Sequence, residues 1–133
     1  MLNELAKEIY DTAAEKGWHE KSVSFGDCIA NIHGEASEAF EEYRNGHGIS
    51  EIYYPKCKHA DNGTANEEYC KALQSADICN MICKPEGVPT ELADIIIRVL
   101  DGCQMYGIDI DEAVKIKMEY NKTRPYRHGG KVV

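Results

Sequence analysis

The sequence predicts an all-α fold, a helical bundle of about four to five helices. Most of its 133 residues fall into stretches whose apolar side chains recur at helical spacing. Helix stops bound those stretches: Gly17, Gly46 with Gly48, Gly107, and Pro125. Two of the stretches also carry an acid pair at i, i+3, Glu35 with Glu38 and Glu91 with Asp94.

The first helix is expected over 2–16, where Leu2, Leu5, Ile9 and Ala13 share a face. The second runs from about Val23 to Arg44. At 100° per residue, with Glu35 as zero, Phe25, Cys28, Ile29, Ile32, Ala36, Ala39, Phe40 and Tyr43 fall between roughly 20° and 140°. Glu35, Glu38 and Glu42 fall at roughly 300° to 360°, so these carboxylates are expected to border the core. Residues 49–65 carry Pro, Asn-Gly and Gly and read as an irregular excursion, with a short strand at Ile52-Tyr53-Tyr54. Residues 66–83 read as helical, and 84–89 as a turn-rich linker. A further helix begins near Pro89, a favoured first-turn residue, and ends at Met105 or Tyr106. Leu92, Ile95, Ile96, Val99, Leu100, Cys103 and Tyr106 form its apolar arc, bordered by Glu91, Asp94, Arg98 and Asp101. Arg98 reads as an i, i+4 partner of Asp94. Asp109 and Glu112 have the spacing of a capping box opening the last helix, which runs to about Lys122.

The length suits one domain with a core, spanning 1–133, with 49–83 as an irregular and helical insertion and 123–133 as a basic tail. No apolar run is long enough for a transmembrane helix, so no membrane partner is expected. The acidic, amphipathic N-terminus lacks the features of a signal peptide, and a cytoplasmic location is expected. The net charge is −8, yet from Lys115 to Val133 six basic side chains face one acid, Glu119, leaving −13 on the remainder. An acidic body argues against stable nucleic-acid binding. Of the six cysteines, Cys57, Cys70, Cys79 and Cys83 crowd into one segment with His59. None has C-x-x-C spacing, so reduced thiols serving as small core residues are favoured over zinc.

Acid pairs at i, i+3 repel on an isolated helix. They are tolerated in solvent and become useful around a cation. Glu35, Glu38, Glu91 and Asp94 brought together in a bundle make an all-oxygen site for a hard divalent ion, Mg²⁺ first and Mn²⁺ second. Such a site points to metal-assisted chemistry on phosphates.

Three segments carry a resemblance: IHGEASEAFEEYR at 32–44, KPEGVPTELADIIIR at 84–98 and KMEYNKTRPYRHGGK at 117–131. In this order and helical context they resemble the MazG-like nucleoside triphosphate pyrophosphohydrolases of the all-α NTP pyrophosphatase superfamily. The resemblance covers roughly 1–48 and 84–131. The family pattern is E-E-x-x-E followed by E-x-x-D; Gly34 stands at the first acid, and Glu35, Glu38, Glu91 and Asp94 match the rest. It implies hydrolysis of a (deoxy)nucleoside triphosphate to the monophosphate and pyrophosphate, in nucleotide-pool control or house-cleaning. It further implies that the four acids hold Mg²⁺, that Glu38 ligates metal or orients the attacking water, and that Lys117, Asn121 and Arg124 bind phosphates. Trp18 and His19 are base-pocket candidates. A bundle completed by dimerisation, as a homodimer or a dimer-of-dimers tetramer, is implied as well. Two alternatives share the acidic bundle: phosphoribosyl-ATP pyrophosphohydrolase, and a non-catalytic nucleotide or metal sensor, prompted by Gly34. A plain helical interaction module is the third, with the acid pairs serving only as solvated surface.

Overall fold

The computed structural model describes residues 1–133 throughout. It is mostly helical: α1 (Leu2–Glu15), α2 (Phe25–Arg44), β1 (Tyr53–Tyr54), β2 (Ala65–Asn66), α3 (Glu67–Ser75), α4 (Val88–Tyr106), α5 (Ile110–Thr123) and a single turn α6 (Arg127–Gly130). No helix is long and apolar enough to cross a membrane. The residues gather into two compact units, one of Met1–Phe25 with Val99–Val133 and one of Gly26–Arg98.

In the first unit α1 packs on α5, with Ala6 buried in α1. The two helices cap each other. Asp111 in the first turn of α5 accepts the Met1 ammonium at 2.9 Å and the amides of Leu2 and Asn3 at 3.0 Å each. These are the amides a helix start leaves without partners. Asn3 returns the favour: its Oδ1 accepts the Ile110 amide at 3.1 Å, and its Nδ2 donates to Asp109 at 2.9 Å. Asp109 caps α5 by accepting the Glu112 amide, as the sequence predicts. Backbone donors turned on Asp111 hold its carboxyl down at about 2.

In the second unit β1 and β2 pair antiparallel, Tyr53 opposite Asn66 and Tyr54 opposite Ala65. Tyr53 also bridges Glu86, so the 84–87 linker returns alongside β1. Gly87 makes that return possible. Its φ is +124°, and a Cβ there would sit 2.2 Å from the Glu51 carbonyl oxygen. Asn66 caps α3 through the Tyr69 amide.

The helix expected over 66–83 stops at Ser75. Asp77 takes φ +55°, and the Asp77 and Ile78 amides fold back onto Gln74 and Leu73, closing the helix end. Asp tolerates this left-handed conformation better than most residues, which is why no glycine marks the stop.

A second correction concerns the apolar arcs. Only Glu35 and Ala39 are buried on α2, whereas Phe40 is 57% exposed and Phe25, Ile29 and Tyr43 are also open. On α4, Leu92 and Ile96 are exposed while Glu91 is 7% exposed. One acid of each edge, Glu35 and Glu91, is therefore buried in the second unit, while much of the arcs is exposed. Helical periodicity shows that two faces differ; it does not say which one a neighbour covers. The cysteines differ likewise from the expectation: Cys103 is buried, and the other five are half-buried.

Candidate metal centre

Helices α2 and α4 supply the acids. Glu35 and Glu38 lie one turn apart on α2, and Glu91 lies in the first turn of α4. Ligand oxygens of Glu35, Glu38 and Glu91 come within 4.8 Å of one another. Glu35 is 9% exposed and Glu91 is 7% exposed, while Glu38 is open to solvent. Asp94 is exposed at its rim, close enough to feel the charges of Glu35 and Glu38.

Crowding of this kind costs free energy unless protons or cations relieve it. Burial, and then the Glu38 carboxylate, push the Glu91 carboxyl up to about 7. Glu38 and Glu91 bring carboxylate oxygens within 4.8 Å of each other, close enough for one to disfavour ionisation of the other. Asp94 is raised by burial and by Glu35, against the opposing pull of Arg98.

The guanidinium of Arg98 departs from the expected i, i+4 pairing. Its Nε donates to Oε1 of Glu35 at 2.8 Å, so it ties α4 to α2. It offsets one charge of the cluster without removing the excess.

A second acid group adjoins the first through Glu91: ligand oxygens of Glu42, Glu86 and Glu91 also lie within 4.8 Å of one another. The Tyr53 hydroxyl donates to both oxygens of Glu42, at 3.1 and 2.9 Å. Burial, and then this hydrogen bond, push the Tyr53 phenol up to about 12. His47 stacks on the Tyr53 ring with centroids 4.4 Å apart, while its Nδ1 meets Glu51 at 3.1 Å. The sequence placed Glu42 on the same helix edge as Glu38 but did not single it out. Glu86 carried no local signal, because it reaches the group only through its pairing with Tyr53.

No known protein family, curated protein or solved structure matched the chain.

The remaining expected site residues belong to the first unit. Lys117 and Arg124 lie over the Tyr120 ring, 5.4 and 5.7 Å from its centroid. Asn121 is exposed on the last turn of α5, and its carbonyl accepts the Arg124 amide at 3.2 Å. Together they form a small basic and polar face around Tyr120. Trp18 and His19 occupy different environments. Trp18 is 74% exposed. His19 stacks on Tyr10 at 4.3 Å, and its Nε2 meets Asp101 at 2.9 Å. His19 thus links Tyr10 of α1 to Asp101 of α4.

Proposed function

We propose that the protein is a Mg²⁺-dependent nucleoside triphosphate pyrophosphohydrolase of the MazG-like kind. It would cleave a (deoxy)nucleoside triphosphate to the monophosphate and pyrophosphate, with Mn²⁺ as a substitute ion. The observation that carries this reading is the convergence of Glu35, Glu38 and Glu91 within 4.8 Å, with Asp94 beside them, in the order of the E-x-x-E and E-x-x-D motifs.

The donor set fits the ion. All the converging atoms are carboxylate oxygens, the ligands of a hard divalent cation. Burial, and then repulsion from Glu38, raise Glu91, and a cation would relieve both. When bound, Mg²⁺ neutralises triphosphate charge and lowers the pKa of a coordinated water. The chain's own groups supply the rest. Glu35, buried and anchored by Arg98, keeps the α2 edge fixed. Glu38, solvent-exposed and in contact with Glu91, accepts a proton from the attacking water. The family resemblance assigns phosphate binding to Lys117, Asn121 and Arg124, Arg124 offering a planar fork. Phosphoryl transfer depends chiefly on such positioning and charge stabilisation.

The exposed Ile29, Phe40, Leu92 and Ile96 on α2 and α4 support the homodimer or dimer-of-dimers that the family resemblance implies.

Product analysis in ¹⁸O-labelled water tests the reaction class. Attack at the α-phosphorus puts the label into the nucleoside monophosphate and leaves pyrophosphate unlabelled. Release of the diphosphate and orthophosphate, or binding of nucleotide without hydrolysis, would defeat the reading. The latter outcome would favour the sensor that Gly34 suggests.

A further inference from the structure

The excursion between α2 and α4 brings four of the six cysteines together. The bridge between Tyr53 and Glu86 is closed by two backbone hydrogen bonds, Tyr53 N to Glu86 O at 3.0 Å and Glu86 N to Tyr53 O at 2.8 Å. Cys57 follows Tyr53 by four residues and Cys83 precedes Glu86 by three, so the bridge ties together the two stretches that carry them. Cys57 also opens a tight loop, its amide donating to the Gly63 carbonyl at 2.8 Å. Cys70 lies in α3, a helix that packs on both strands. Cys79 follows the end of α3, its amide folded back on Leu73 at 3.3 Å. Cys57, Cys79 and Cys83 all stand within electrostatic reach of the Cys70 thiol, and Cys70 and Cys83 within that of Tyr54.

We propose that Cys57, Cys70, Cys79 and Cys83 form a structural Zn²⁺ site that clips this excursion together. The ligand type is decisive: four thiolates select zinc over the hard cations suited to the carboxylates. The absence of C-x-x-C does not weigh against it, because structural sites use two to four intervening residues and Cys79-x-x-x-Cys83 has three. The thiols are half-buried and free. They are gathered less tightly than the carboxylates, which already lie within 4.8 Å of one another. Binding would draw the thiols closer and release their protons to solvent, with no change of oxidation state.

Two features of the surroundings agree. Burial, and then the other three thiols, raise the Cys70 thiol, and a dication bound there would hold it as a thiolate. A zinc ion with four thiolates carries net negative charge. Lys56 and Lys58 flank Cys57, Lys71 follows Cys70 and Lys84 follows Cys83, placing cations around it in an otherwise acidic chain. The segment also needs a clip. Its sheet has two strands of two residues each, α3 has nine residues, and 76–83 forms no regular element. So small a body rarely holds together by apolar burial alone.

The test is metal analysis of the full chain purified under reducing conditions, with Co²⁺ substitution read by absorption. The expected result is near one zinc per chain and, with Co²⁺, the tetrahedral bands and thiolate charge-transfer bands of a four-sulfur site. Cys79→Ser and Cys83→Ser should lose the bound zinc, and Cys28→Ser should keep it. Should the serine variants fail to fold, chelation of the wild-type protein gives a second reading: stripping zinc should open 55–85 to limited proteolysis. No stoichiometric zinc together with no thiolate–Co²⁺ bands overturns the proposal. So does a segment equally resistant to protease with and without chelator, or disulfides among the four under reducing purification. None of these readouts uses nucleotide hydrolysis, so the zinc clip and the acidic centre stand or fall separately.

Discussion

Arg98 reaches across from α4 to Glu35 on α2, Nε to Oε1 at 2.8 Å, and is the one cation hydrogen-bonded to the Glu35, Glu38, Glu91 and Asp94 cluster. The pairing matters because Glu35 is nearly buried while the Arg98 side chain is about half-exposed. The acid depends on the pair more than the base does.

Arg98→Ala should therefore destabilise the fold by about 1–2 kcal/mol, a value reduced from that of a fully buried pair because water screens the guanidinium. The corresponding fall in Tm is roughly 3–8 °C. Mg²⁺ should recover part of the loss, since a cation answers the same excess charge. Thermal unfolding with and without Mg²⁺ checks this; a Tm unchanged in both conditions would show that the pair contributes nothing.

Glu91 gives the metal-free protein a pH dependence of definite sign. Its carboxyl is raised to about 7, so between the usual carboxylate range and pH 7 the folded state holds a proton that the unfolded state has lost. Stability then falls as pH rises through that window, by on the order of 2–3 kcal/mol, and levels off above it. The raised Asp94 acts in the same direction. Denaturant unfolding in EDTA from pH 5 to 8 should show this decline, and Glu91→Gln should flatten it. Mg²⁺ should stabilise strongly at pH 8 and little at pH 5, where protons hold the site.

Gly87 holds the linker against β1 at a positive φ with no room for a side chain. Gly87→Ala should cost more than about 2 kcal/mol, from strain and from the clash with the Glu51 carbonyl. Gly63, also at positive φ but with open space around it, provides the comparison. Gly63→Ala should cost about 1–2 kcal/mol. Equal losses in urea unfolding would mean that the close approach at Gly87 is not what fixes the return of Glu86.

A Cβ at Gly34 meets nothing within 4 Å. Gly34→Glu should fold. Helix propensity favours it by about 0.5 kcal/mol, and repulsion from Glu38 one turn on cancels much of that. The new carboxylate should enlarge the Mg²⁺-induced rise in Tm over that of the wild-type protein. A smaller rise would indicate that the acid position of the family motif does not face the cation in this chain.

These sites differ in how far the sequence reveals them. The helices α1, α2, α4 and α5 lie within about two residues of their expected bounds, because local signals end them: Gly17, Gly46 and Gly107 at positive φ, Pro125, and the Asp109 cap. Helical periodicity also placed both acid pairs on helix edges. What it missed depends on contacts distant in sequence. Arg98 chose Glu35 over Asp94, and Glu86 joined Glu42 and Glu91 through a strand bridge. Asp77 ended α3 in a conformation usually signalled by glycine. The spacing of the cysteines along the chain did not show that Cys57, Cys79 and Cys83 come within electrostatic reach of Cys70.

The most direct test of the central claim is pyrophosphate release from a panel of canonical and modified (deoxy)nucleoside triphosphates with Mg²⁺, run beside Glu38→Gln. Pyrophosphate and monophosphate should appear in equal amounts from at least one nucleotide, with the rate down at least about 100-fold in the variant. No release from any nucleotide by folded protein, with Mg²⁺ or Mn²⁺, would contradict the account.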